Sequence, residues 1–365
     1  MLENLKELVK INSYENKYTI IEYLKNRFKL NCEEIKNVKN KENDNESILI
    51  GINTRLKDIE PIVLSGHIDT VAPDFEKYKT NPFELTEIDG KAYGLGSVDM
   101  KSFVAIILDK IEELKVLNLP IVVVLTTDEE TDLICIENVI ETLKELNIMP
   151  KCTIVGEPTR NQINNESNGC YEFEIETIGK SCHSSVLSEG INAINIMAKL
   201  ITFIESEQIK YCSLTSNCGV IAGGDIVNRV PDSCKLKLDI RSSNSIEIKN
   251  FINSLINKIK QLKNEYKTKI KIKKLLEIPP LESQNKKLVN EIANKLDLKV
   301  EKFMGGCEAG YYQKLSGDAI VFGVGDMSLA HKPNEFVNVD EYKNYSELFL
   351  KLIKELELIY QTNKL

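Results

Sequence analysis

Three short segments of this chain run apolar and then stop on imidazole or acid: PIVLSGHID (Pro61 to Asp69), IVVVLTTDEE (Ile121 to Glu130) and CTIVGEP (Cys152 to Pro158). A strand with no polar alternation is buried on both faces, as in a largely parallel sheet covered by helices. Sheets of that kind place their chemistry at one edge, beyond the carboxyl ends of the strands. The rest of the chain agrees. Leu2 to Phe28 reads as two short helices broken near Asn12–Tyr14, Glu46 to Asn53 as a further strand, and Lys101 to Leu117 as a helix with an apolar stripe.

The pattern changes after the polar stretch Arg160 to Gly169, which reads as a linker. YEFEIETIG alternates as a half-buried strand, Ile191 to Ile209 is helical, and strand-like runs follow around Cys218–Gly223 and Cys234–Ile240. A second helix opens on a capping box, Asn244 with Glu247 three residues on, and KTKIKIKKL alternates again. Strand–helix–strand–strand–helix–strand is the ferredoxin-like order. From about Pro279 the α/β style resumes, with a helix at Lys286–Leu296, a strand at Ala319–Phe322 and a closing helix at Asp340–Thr362. The predicted organisation is an α/β domain of residues 1–168 and 279–365, interrupted by an α+β domain of residues 169–278.

Composition narrows the function. A length of 365 residues fits about two domains. The net charge of −8 argues against nucleic acid, whose phosphates are bound by surplus Lys and Arg. Nine cysteines without a C-x-x-C pair point to free thiols in a reducing compartment rather than a disulfide frame. The first ten residues mix charge into a helical pattern with no apolar core of a signal peptide, and no apolar run approaches the ~20 residues of a membrane span. The expectation is a cytoplasmic protein without a membrane partner.

The chain contains only three histidines, His67, His183 and His331. His67 and Asp69 are two apart at a strand end, so period two sets both on one face. A ligating histidine needs its second nitrogen held, commonly by a carboxylate, and Asp69 is placed to do this; the alternative is a turn aspartate beside a core histidine. Glu129 and Glu130 are neighbours, so one can bind a cation while the other stays free as a base; the alternative is a solvated acidic turn. Asp99 closes GLGSVD, which lacks the third glycine of a dinucleotide loop. Glu157 precedes Pro158, and His331 stands in AHKPNEFV. Two imidazoles (His67, His331) and three carboxylates (Asp99, Glu130, Glu157) at strand ends or loops, with no thiolate cluster, form a donor set suited to hydrolytic zinc. G-x-S-x-G is absent, which argues against a serine hydrolase.

Read in order, SGHIDTV, GLGSVDMK, TTDEE, GEPT, GKSCHSS, IVNRVPD, LDIR, GGCEAGYY and AHKPNEFV resemble the M20 metallopeptidase and deacylase family over nearly the whole chain. The resemblance implies two zinc or cobalt ions per subunit, a catalytic domain interrupted by a lid or dimerisation domain, and a homodimer through that lid. It implies that Asp99 bridges the metals, with His67 and Glu157 on one and Glu130 and His331 on the other. Glu129 would be the general base for a water shared by the metals, Asp69 the carboxylate behind His67, and His183 the oxyanion stabiliser. Asn228 and Arg241 would hold the substrate carboxylate, and Glu308 would meet a substrate ammonium or serve a structural role.

Within the family GEPT, CEAGYY and AHKPNEF resemble the acetylornithine deacetylase branch, which implies hydrolysis of N-acetylornithine to ornithine and acetate in arginine biosynthesis. The alternatives are a dipeptidase or carboxypeptidase, an N-succinyl-diaminopimelate desuccinylase, and a catalytically dead binding homologue. The chain departs from the family pattern at Leu95, Ser102, Phe103, Asp132 and Cys307, where arginine, two glycines, glycine and threonine are usual.

Overall fold

The computed structural model describes residues 2–30, 32–41, 43–56, 59–283, 286–315 and 318–362. The chain divides into two compact units: Met1–Ser167, Leu281–Phe303 and Cys307–Leu365 form one, and Asn168–Pro280 with Met304–Gly306 the other.

Among the described residues the first unit holds an eight-stranded sheet. Its order is Glu34–Lys39, Glu46–Ile52, Ile121–Thr126, Ile62–His67, Cys152–Val155, Asp318–Val321, Ile163–Ser167 and Val300–Phe303. The four strands from Ile121–Thr126 to Asp318–Val321 pair in parallel, so their carboxyl ends share one edge. The apolar runs sit here: all residues of Ile62–His67, Ile121–Thr126 and Cys152–Val155 are buried. The helix Lys101–Asp109 is buried at its first eight positions, and Val339–Thr362 contributes Tyr345, Phe349, Leu352 and Leu356 to the same core.

In the second unit the strands Gly169–Ile178, Thr215–Gly223, Ser233–Ser242 and Ile270–Ile278 form one antiparallel sheet, and the helices Ala193–Gln208 and Ser245–Tyr266 contribute to its core. The element order is the ferredoxin-like one. Alternation explains the faces: Leu236, Leu238 and Ile240 point into the core, while Lys235 and Lys237 point out against Glu176 and Glu174 across the ladder. Asn244 accepts from the backbone N–H of Ile246 and Glu247, but the Glu247 carboxylate turns to the N–H groups of Cys212 and Ser213 rather than back to Asn244, so only half of the capping box forms.

Two expectations need correction. The Lys101–Leu117 helix is broken: Lys101–Asp109 ends at Lys110 and a short helix, Ile111–Lys115, follows. The stretch read as a linker contains the strand Ile163–Ser167, and Gly169 already opens the next. Its Asn164, Asn165 and Ser167 are polar yet buried: Asn164 pairs with Val321 and Glu301 of the flanking strands, and the other two are bonded to the segment near Leu281, where Ser167 N–H donates to Leu281 O, Leu281 N–H donates to Ser167 Oγ, and Ser283 N–H donates to Asn165 O. Composition gives no hint of partners more than 100 residues away. All nine cysteines are free, and no described helix is long and apolar enough to cross a membrane.

One close approach ties the core to the sheet edge. A Cβ on Gly156 would lie 2.0 Å from the Phe103 ring. Phe103, bulky where the family commonly has glycine, therefore requires glycine immediately before Glu157. Gly156→Ala is expected to cost about 1–3 kcal/mol through overpacking. Urea melts of the two proteins measure this, and unchanged stability would show that Phe103 has room to retreat.

Candidate metal centre

The acidic and imidazole groups at the sheet edge come from several strand ends and from the loops beside them. His67 is the last residue of its strand, opposite Thr126 on the neighbour. Glu129 and Glu130 follow in the turn after Thr126, a turn held by Asp128, whose Oδ2 accepts from Cys135 N–H at 2.8 Å. Glu157 lies two residues beyond Val155. Asp99 comes from the loop before the Lys101–Asp109 helix, and His331 from the segment after Asp318–Val321, with a left-handed φ of +58°. That φ is uncommon for a residue with a Cβ, and such positions gather at functional sites.

These groups converge on Asp99. His67 Nε2 is 2.9 Å from Asp99 Oδ1 and 3.9 Å from Glu157 Oε1. His331 Nε2 is 3.3 Å from Asp99 Oδ2 and 2.8 Å from Glu130 Oε2. The result is two donor groups, His67–Asp99–Glu157 and Asp99–Glu130–His331, each with ligand atoms within 4.8 Å of one another and sharing one carboxylate. Behind them, His67 Nδ1 lies 3.1 Å from the Asp69 carbonyl oxygen and 3.5 Å from its Oδ1, and Asp69 Oδ2 accepts from Glu130 N–H at 3.2 Å. Asp69 thus lies against the Nδ1 side of His67 and braces the turn that carries Glu130.

The electrostatics have one theme. Burial raises the pKa of Glu157, and the charge of Asp99 raises it further, against the pull of His67. Burial likewise raises Glu129, with His67 opposing and Glu130, Asp99 and Asp69 adding repulsion. For His67 burial acts downward, but its contacts with Asp69 and Asp99 outweigh it and hold the imidazole well above its usual range. His331 is pushed up to about 10, chiefly by its hydrogen bonds to Asp99 and Glu130. Burial would raise Asp99, yet His331 and His67 together bring it below the ordinary carboxylate value. The cause throughout is buried negative charge in excess of the positive charge available. Divalent cations bound by imidazole and carboxylate would cancel it, so the donor set fits them.

With that geometry in view, the profile of peptidase family M20/M25/M40 matches residues 63–355. The chain belongs to this family. It is 33% identical over 307 residues to the acetylornithine deacetylase of Pasteurella multocida, an alignment covering 80% of this chain and 79% of that one. Its fold is similar to that of a tripeptidase from Staphylococcus aureus (TM-score 0.80, 23% identity, 98% and 97% of the two chains covered). It is also similar to a Bacillus subtilis protein described as a dinuclear metal binding peptidase from M20 family (TM-score 0.66, 15% identity, 96% and 93% covered). The chain is thus a metal-dependent hydrolase of the M20 family, with a mostly parallel α/β sheet and a second, smaller unit.

Of the other M20 positions singled out in the sequence, His183, Asn228 and Arg241 lie in the second unit. His183 Nδ1 is 2.8 Å from Ser185 Oγ, and Asn228 O accepts from Ser184 N–H at 3.0 Å, so the two exposed residues lie on hydrogen-bonded neighbouring segments. The Arg241 guanidinium is engaged by Asp239 at 2.9 and 3.1 Å. Glu308 belongs to the first unit and is only 1% exposed: Ser65 Oγ donates to one carboxylate oxygen and Thr126 Oγ1 to the other, while Tyr312 OH donates to Ser65. This enclosed network favours a supporting role for Glu308. The family departures Leu95, Ser102, Phe103 and Cys307 are buried.

Two residues were not singled out by sequence. Glu335 is buried against the Asp99 loop. Lys101 is 1% exposed, donates to Ile11 O, and is brought down to about 7 by burial, with Glu335 and Asp69 pulling the other way. Their only signals were proximity in sequence to His331 and Asp99.

Removing divalent cations would leave the buried carboxylates facing one another. Calorimetric scans with and without EDTA are expected to show a lower Tm for the chelated protein, restored by added zinc. An identical Tm in both would mean that cations carry no folding energy here.

Proposed function

We propose that this M20 hydrolase cleaves the amide of an N-acyl amino acid, with N-acetylornithine, giving ornithine and acetate, as the substrate. The observation that carries this reading is the pair of donor groups meeting at Asp99 with Glu129 beside them. The substrate is supported by the 33% identical relative named acetylornithine deacetylase. In this reading His67 and Glu157 would hold one divalent ion and Glu130 and His331 the other, with Asp99 available to both; zinc or cobalt suits nitrogen and carboxylate donors. Two such ions supply Lewis-acid polarisation of the acyl oxygen and acidify water.

The protein's own groups do the rest. Glu129 takes the proton of the attacking water and returns it to the leaving amine nitrogen. Its burial raises its proton affinity, which suits a group that holds a proton in transit. Asp69, through His67 Nδ1, keeps Nε2 turned toward Asp99. His183 stabilises the oxyanion, and Asn228 and Arg241 receive the substrate carboxylate, for which an Arg fork is suited. Residues 1–168 and 279–365 act as the catalytic domain and 169–278 as the lid, through which two cytoplasmic copies associate.

Glu129→Gln keeps the shape and removes the base. It is expected to lower kcat by about 10²–10⁴-fold while metal content, read by mass spectrometry, stays at the wild-type level. Full activity in this variant would rule Glu129 out as the base. On the metal-replete enzyme, a panel of N-acetylornithine, N-succinyl-diaminopimelate, N-acetylated neutral amino acids and dipeptides is expected to give the highest kcat/KM for N-acetylornithine. A dipeptide or succinyl compound ranked first would move the chain to another M20 branch.

A further inference from the structure

We propose that Glu335 is a positioning residue for the metal centre: its carboxylate grips the backbone of the Asp99 loop and thereby sets Asp99 against His331. This rests on the reading above, in which Asp99 is shared between two cations. Glu335 is 2% exposed. One carboxylate oxygen accepts from Val98 N–H at 2.6 Å and Asp99 N–H at 3.0 Å, and the other from Gly96 N–H at 3.1 Å. Its carbonyl oxygen accepts from Gly94 N–H at 3.1 Å. Four hydrogen bonds therefore tie one residue to the loop Gly94–Asp99, across 236 positions of sequence between Glu335 and Asp99.

The loop cannot satisfy those N–H groups alone, and a buried unpaired backbone donor is costly. Gly96, at φ +78°, turns its N–H toward the same carboxylate as the next amides, and a Cβ there would meet Lys101 and Thr70 side chains at 2.9–3.0 Å. Glu335 also stands four residues after His331 and immediately before Phe336–Asn338, which pairs with Lys91–Tyr93 ahead of the loop. One segment thus supplies His331 to Asp99 Oδ2 and fixes the backbone from which Asp99 projects. His67 reaches Asp99 from a separate strand, so its group is linked to Glu335 through Asp99 alone, whereas the other group is linked through both Asp99 and His331. Loss of Glu335 should therefore disturb the Asp99–Glu130–His331 group more than the His67–Asp99–Glu157 group.

The test is titration of the chelator-stripped full chain with Co(II), followed by calorimetry and by the visible absorption of bound cobalt, in Glu335→Gln, Glu335→Ala, Asp99→Asn and Leu352→Ala. The last removes a fully buried core side chain of the first unit and serves as a control for lost stability alone. Glu335→Ala is expected to weaken one of the two cobalt equivalents about 10–100-fold and alter the cobalt spectrum, the range found for groups that orient ligands. Glu335→Gln retains one acceptor oxygen and should fall in between. Leu352→Ala should lose Tm with both affinities intact. Wild-type affinity and spectrum in both Glu335 variants, with only a lower Tm, would overturn the proposal. If Glu335→Ala does not fold, the same comparison is decided on Glu335→Gln. Unchanged binding of two equivalents by Asp99→Asn would instead remove the shared-ligand reading, independently of what Glu335 does.

Discussion

A single carboxylate, Asp99, lies between two imidazoles, with Glu130 and Glu157 on either side. Such a concentration of buried charge is tolerable only where the backbone over-determines every member and a counter-charge is at hand. The architecture provides the first condition. Parallel strands end in one line, so His67, the Glu129–Glu130 turn and Glu157 arrive side by side from a rigid sheet, while Asp99 and His331 come from segments pinned to each other. The donor chemistry invites the second in the form of divalent cations, and the family to which the chain belongs is metal-dependent.

The centre of the fold is legible in the sequence because full burial leaves no polar alternation. Ile62–His67, Ile121–Thr126 and Cys152–Val155 could hardly be anything but interior strands. The second unit is legible for the opposite reason, since its strands alternate and its helices carry regular stripes. Illegible were the elements stabilised by distant partners. Ile163–Ser167 looks like a linker because its Asn165 and Ser167 are satisfied near Leu281 and Ser283. The break at Lys110 leaves no mark, because Ile111 and Leu114 continue the apolar pattern beyond it.

The same division holds at the site. The residues proposed to carry the chemistry stand in short segments at strand ends or loops, and His67, Glu130, Glu157 and His331 are gathered around Asp99. Glu335 and Lys101 escape such a reading, because each engages main-chain atoms: three amides of the Asp99 loop for one, the carbonyl of Ile11 for the other. Backbone partners carry no sequence signal. Glu308, whose environment is two hydroxyls at strand ends, shows how an acid near a catalytic edge can face inward.

The junction between the units has a consequence of its own. The chain leaves the first unit after Ser167 and re-enters it at Leu281, and these two residues are hydrogen-bonded to each other through both a backbone carbonyl and a hydroxyl. The ends of the excursion are thus stapled together, so a long detour can be accommodated there without opening the sheet. With departure and return held at one clasp, the intervening residues place no demand on the strand order of the sheet they interrupt.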